Sequence, residues 1–158
     1  RLLTLEDRTV YMHDNIGTLK GQGFELEGRW KINKFSTVLA NYAYVKVEDG
    51  DGLEAGNYPH HQFYVRYDWF INKDWAVNTR LNWVADRDRP AGDERLELKN
   101  YTELDFTLRY AARQKPWNIA LGVRNLLDED RREPSDPRLV GDYPKAGREW
   151  FGEVRYKF

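Results

Sequence analysis

From Gly147 to Phe158 most side chains alternate in character. Trp150, Gly152, Val154, Tyr156 and Phe158 fall on one parity, and Glu149, Glu153, Arg155 and Lys157 on the other. Successive side chains of an extended strand point to opposite faces, so this stretch predicts a strand with one apolar, aromatic face and one charged face. The same pattern recurs upstream. Phe24, Leu26, Trp30 and Ile32 alternate with Glu25, Glu27, Arg29 and Lys31, and Phe63, Val65, Tyr67, Trp69 and Ile71 with Gln62, Tyr64, Arg66 and Asp68. Trp75, Val77, Thr79, Leu81 and Trp83 alternate with Asn78, Arg80 and Asn82. Leu104, Phe106, Leu108 and Tyr110 are set against Glu103, Asp105, Thr107 and Arg109, and Trp117, Ile119, Leu121 and Val123 against Asn118, Ala120, Gly122 and Arg124. Between Phe35 and Val47 the parity is ambiguous: Phe35, Leu39 and Val45 share one face, Tyr42 and Tyr44 the other. Residues 1–12 read as one further strand of mixed patterning.

The connections alternate in length. Asn33-Lys34, Asn72-Lys73 and Arg113-Gln114-Lys115 are short turns, whereas Glu48 to Tyr58, Asp86 to Lys99 and Leu127 to Ala146 are long polar loops. Trp30, Trp69, Trp75 and Trp117 lie close to the short turns, all on the apolar parity. Strands of about 11–13 residues are long enough to cross a bilayer when tilted, while strands of soluble proteins average about 5–6. Short turns at one end, long loops at the other and an aromatic girdle together predict an all-β, antiparallel up-and-down transmembrane β-barrel, of which this chain holds about eight strands. The mean hydropathy of −0.84 excludes only helical spans, because a barrel strand is half polar. The near balance of 25 basic and 26 acidic side chains argues against a nucleic-acid partner.

Several short motifs carry a family resemblance. Asn125-Leu126-Leu127-Asp128 resembles the "NLFD" signature of TonB-dependent outer-membrane receptors, and Pro144-Lys145-Ala146-Gly147-Arg148 resembles their "P-x-x-G-R" segment. Gly23-Phe24-Glu25 resembles the "G-x-E" strand, Pro59-His60-His61 the "P-x-H" strand opening, and the aromatic ending at Tyr156 and Phe158 the terminal signal read by the barrel-assembly machinery. The resemblance implies a barrel of about 22 strands with a plug. It implies import of a scarce solute such as a ferric siderophore from the bacterial outer membrane, energised through TonB. This chain then corresponds to the C-terminal third of the barrel, with plug and TonB contacts on parts it does not include. The rival expectation is a complete barrel of about eight strands with a structural or adhesion role. If the segment is a fragment, its two open edges are expected to make it misassemble in isolation.

The charged parity holds Glu25, Glu27, Arg29, Arg66, Arg80, Glu103, Asp105, Arg109 and Arg124. These are expected to form a hydrated lumen wall, pairing across strands and, by resemblance, facing the plug. Arg87, Arg89 and Arg95 in the second long loop are the candidates for an anionic solute, although Asp86, Asp88, Asp93 and Glu94 nearly cancel their field. His60 and His61, adjacent in a strand, point apart, so no metal site is expected there or with His13. Asp49-Gly50-Asp51-Gly52 lacks the later ligands of an EF-hand and reads as a solvated loop. No nucleophile, base and orienter assemble, so neither an enzyme nor a cofactor is expected.

Overall fold

A computed structural model describes residues 2–5, 8–11, 17–56, 58–89, 93–112, 114–136 and 139–158. His13, Pro90 and Arg113 lie outside them. The strands in chain order are β1 (Leu2–Leu5), β2 (Arg8–Tyr11), β3 (Lys20–Asn33), β4 (Ser36–Glu48), β5 (Pro59–Phe70), β6 (Trp75–Arg87), β7 (Tyr101–Ala111), β8 (Trp117–Arg124), β9 (Arg132–Glu133), β10 (Tyr143–Pro144) and β11 (Glu149–Tyr156). Seven of them, β3 to β8 and β11, make one antiparallel meander in which each pairs with its neighbour in order.

Register carries the parity of each strand across the whole sheet. One row runs Ala40, Val65, Leu81 and Leu104, and a parallel one Tyr42, Phe63, Trp83 and Thr102, all on the apolar face. The ambiguous strand β4 is settled by its neighbours: Tyr42 opposes Leu26 and Tyr44 opposes Phe24, so both tyrosines join the apolar face. Leu39 sits between Arg29 and Arg66 on the charged face. The apolar face is left open, with Leu26 at 64% and Trp30 at 67% exposure. A face this apolar is stable only against lipid.

Aromatic rings gather near both ends of that face. By the short turns Trp75 lies 5.0 Å from Tyr110, and Trp117 4.6 Å from Tyr156. Towards the long loops Phe24, Tyr44, His61 and Trp83 form a chain of ring contacts of 5.0 to 6.4 Å. Trp75 and Trp83 are eight residues apart on β6, about 26 Å along the strand and about 20 Å in height at a barrel strand's tilt, enough to span most of the apolar band of an outer-membrane barrel.

Two expectations are corrected. Residues 1–12 do not form one strand: β1 and β2 pair with each other, Leu2 opposite Tyr11 and Leu5 opposite Arg8, in a sheet of their own. Their mixed patterning supplies no continuous apolar parity to fix a single register against β3. The large sheet therefore has seven strands, and among the described residues its edges β3 and β11 do not pair with each other. It is an open sheet, not a closed small barrel. Every residue of β3 is exposed, as expected of a strand lacking a neighbour on one side.

Candidate functional site: the long-loop end and the charged face

The long loops are bound to one another by the arginines expected to meet solute. Arg87, 5% exposed, donates from Nη1 to the Arg132 carbonyl at 2.7 Å and from Nη2 to Glu133 at 2.9 Å, with its guanidinium 5.3 Å from the centre of the Tyr101 ring. Arg89 grips both carboxylate oxygens of Asp142 at 3.0 and 2.6 Å and donates from Nε to the Leu96 carbonyl. Arg95 donates to Asp93 and to both the hydroxyl and the carbonyl of Ser135. All three candidates for an anionic solute are thus engaged within the protein. They tie residues 86–99 to residues 131–145. The partners lie 40 to 53 residues away in sequence, too far for any local pattern to reveal.

These ion pairs set a pH limit on the docked loops. Hydrogen bonds from Arg95, with the nearby Arg89 charge, hold the Asp93 carboxyl down at about 2. Hydrogen bonding from Arg89 likewise lowers that of Asp142. A carboxyl whose folded pKa lies below the unfolded value of about 3.9 contributes stability above that value and loses it as pH falls towards the folded one. Pepsin, active throughout this range, should therefore leave residues 88–100 intact at pH 4 and cut them as pH approaches 2. Asp93→Asn should shift the onset of cutting upward. Arg89→Ala, which strips Asp142 of its two-bond partner and leaves it the more distant Arg95 at 3.6 Å, should raise loop cleavage at neutral pH by about a few-fold.

The two signature segments meet in space. Asn125 ends β8 in the left-handed region (φ 48°) and is completely buried. Its side-chain amide accepts from the Glu129 N–H at 2.9 Å and donates to the Glu129 carbonyl at 3.0 Å, closing a tight turn. The Leu126 N–H bonds the Leu104 carbonyl on β7 at 2.7 Å. Asp128 accepts from the Arg148 backbone N–H at 2.8 Å. A Cβ on Gly147 would come within 3.1 Å of the same carboxylate, so glycine allows the approach. Asn125, Leu126, Asp128, Gly147 and Arg148 form a clasp that delivers the chain from β8 into β11.

On the charged face the register lines up Arg29, Leu39, Arg66, Arg80 and Asp105, placing Arg66 directly opposite Arg80. Some of these groups are satisfied internally. Arg66 pairs with Asp68 at 2.7 Å, Glu25 bonds Asn41, and Arg124 lies 3.9 Å from Glu149. Asp105 accepts the Asn125 N–H at 3.0 Å, and Glu103 holds Arg131 at 2.5 Å, a partner that the strand pattern did not disclose. Glu27, Arg80 and Arg109 have no hydrogen bond or ion pair among the described residues. Arg66, Arg80 and Arg109 line a recess of about 410 Å³ on this face.

Near the loop end the histidines are each met by acids. His61 Nδ1 lies 2.6 Å from the Tyr42 hydroxyl and its Nε2 3.3 Å from Asp86. His60 touches Glu54 and lies 3.9 Å from Asp88. Asp49 caps its own loop, accepting from the backbone of Asp51 and Leu53 at 2.9 Å each.

An open antiparallel meander, apolar on one face, charged on the other, with aromatic belts and long loops at one end only, defines a wall segment of a transmembrane β-barrel. Residues 2–126 match the family described as TonB dependent receptor-like, beta-barrel, and the chain belongs to that family of bacterial outer-membrane proteins. Among solved structures it is similar to the ferric-catecholate import receptor Fiu from Escherichia coli K12, with 16% identity and a TM-score of 0.75 over 99% of this chain and 23% of that one. It is similar to the ferric yersiniabactin uptake receptor FyuA from Yersinia pestis, with 21% identity and a TM-score of 0.75 over 91% of this chain and 24% of that one. The ferripyoverdine receptor of the outer membrane of Pseudomonas aeruginosa is similar too, with 17% identity and a TM-score of 0.71 over 89% of this chain and 20% of that one. The chain thus spans about a quarter or less of the proteins whose barrels it matches. No curated protein matches the sequence significantly.

Proposed function

We propose that the chain is the C-terminal wall of a larger barrel that imports a scarce solute, most simply a ferric siderophore or a similar metal chelate, with energy delivered through TonB. The observation that carries this reading is the family match over residues 2–126, laid on a sheet with one lipid-facing and one charged face. The solved relatives named for ferric-catecholate, ferric yersiniabactin and ferripyoverdine support this solute class.

In this reading the charged face meets a plug carried elsewhere in the complete protein. Glu27, Arg80 and Arg109, unpaired among the described residues, are the side chains free to do so. Arg66 stands directly opposite Arg80, and like charges so placed destabilise a sheet; Asp68 pairs with Arg66, which leaves Arg80 as the guanidinium open to a counter-charge from the plug. The loop end tied together by Arg87, Arg89 and Arg95 forms a fixed rim at the outer mouth. The C-terminal Tyr156 and Phe158 are the contact for the barrel-assembly machinery.

Deleting the gene and following uptake of iron-55 in a panel of ferric siderophores under iron starvation tests the proposal. Loss of one chelate, restored by the complete gene only in cells with functional TonB, is the expected result. Unchanged uptake of every chelate would remove the ferric-siderophore assignment, and restoration without TonB would remove the energy source.

A further inference from the structure

A second ligand-bearing cluster lies beside the arginine ties. Glu54 comes from the β4–β5 loop, where it bridges back to Glu48. His60 is the second residue of β5, and Asp88 is the first beyond β6. Three separate chain segments thus bring one imidazole nitrogen and two carboxylate oxygens within 4.8 Å of one another. His60 is largely shielded, with a side-chain exposure of 16%, while Glu54 and Asp88 are about one-third exposed. The group borders a polar recess of about 430 Å³ that also holds Asp86, Lys99 and Asn100.

The charges in this cluster do not close. Two carboxylates face a single imidazole; no lysine or arginine among the described residues forms an ion pair with either, and Lys46, which acts on Glu54 from a distance, is paired with Glu48. Arg87, next to Asp88 in sequence, spends its guanidinium on Glu133 and the Arg132 carbonyl. Glu54 Oε1 is cut off from solvent and touches His60 Nε2, the same nitrogen that Asp88 approaches. One ring nitrogen cannot serve two carboxylates, and a buried acceptor left short of a donor is costly unless a cation reaches it.

We propose that Glu54, His60 and Asp88 bind a divalent transition-metal ion of the zinc class at the rim of the long-loop end. Neutral imidazole with two carboxylates gives a donor set of net charge −2, which a divalent ion cancels, and mixed nitrogen and oxygen ligands suit zinc and its neighbours. Metal–ligand bonds of about 2.0–2.2 Å put tetrahedral ligand atoms about 3.4 Å apart. The atoms lie within 4.8 Å of one another, so that spacing is reached by shifts of at most about 1.4 Å, with Glu54 drawing back from His60 Nε2, and both carboxylate side chains are partly exposed. Three protein ligands leave a coordination position for water or for a donor atom of an incoming molecule. Bound metal would also pin the β4–β5 loop to the end of β6. The proposal rests on local geometry alone and stands apart from the transport reading.

The test uses the complete protein purified in detergent, freed of any histidine tag and stripped with a chelator, then titrated with Co2+ and with Zn2+. Wild type should take up one equivalent of Co2+ with visible d–d absorption, displaced by Zn2+. His60→Ala should lose it. Glu54→Gln and Asp88→Asn, nearly isosteric, should weaken binding tenfold or more while the barrel keeps its heat-modifiable migration on gels. His61→Ala should bind as wild type. Absence of binding by wild type, or unchanged binding by His60→Ala, would overturn the site and leave a simple ion pair of His60 with its acids.

Discussion

Replacing Leu81 by arginine should sharply reduce the folded fraction of the complete barrel, whereas replacing its neighbour Asn82 by arginine should leave it nearly unchanged. Leu81 lies in the apolar row between Val65 and Leu104, part way between the two aromatic belts. An arginine facing lipid near the midplane costs about 2–4 kcal/mol. That is a loss of roughly 30-fold or more in the folded-to-unfolded ratio. Asn82 points to the other face, opposite Tyr64 and Glu103, where an added guanidinium meets water and a carboxylate. Refolding both variants into lipid vesicles and reading the heat-modifiable band gives the comparison directly. Equal losses at the two adjacent positions would remove the assignment of faces.

Asn125→Ala should be the most damaging substitution in the loops. The change strips the Glu129 N–H and carbonyl of their side-chain partners in a fully buried place. It also leaves alanine at φ 48°, where a Cβ is strained. Together these amount to about 2–4 kcal/mol. Asn125→Gly relieves the backbone strain but not the lost bonds, so it should fall between alanine and wild type. The clasp fails through Asp128, whose carboxylate receives the first turn into β11. Thermal unfolding and protease cleavage within residues 126–148 should report the same order of the three proteins. A glycine variant as damaged as the alanine one would show that strain contributes nothing.

Much of the membrane-facing architecture was readable from residue parity. The alternation of Phe24, Leu26 and Trp30 with Glu25, Glu27 and Arg29 states the two faces of β3 before any fold is known. The alternation of short turns and long loops states which end is which. Parity leaves β4 open, because tyrosine is comfortable at an interface as well as in water and Leu39 and Val45 give the opposite parity an apolar look. Register against Phe24 and Leu26 resolved it. Parity fails at residues 1–12, where weak patterning suggests one strand and β1 and β2 instead pair with each other.

The loop end is only partly legible, for a different reason. Arg87, Arg89 and Arg95 were visible as charges, but the groups that occupy them, Glu133, Asp142 and Ser135, come from another loop. The clasp of Asn125 with Asp128 and Arg148 was visible only as two separate motifs. The cluster of Glu54, His60 and Asp88 was invisible, since adjacency of His60 and His61 drew attention to a pair that could not share an ion.

Strand faces, turn lengths and the lipid-directed surface were determined by the sequence itself, because side-chain alternation is a local property of an extended backbone. Which loop arginine meets which acid, which strand edges stay open and which ligands converge were decided only by the tertiary structure. Those contacts depend on cross-strand register and on loops that close over 40 or more residues, distances at which local pattern carries no information.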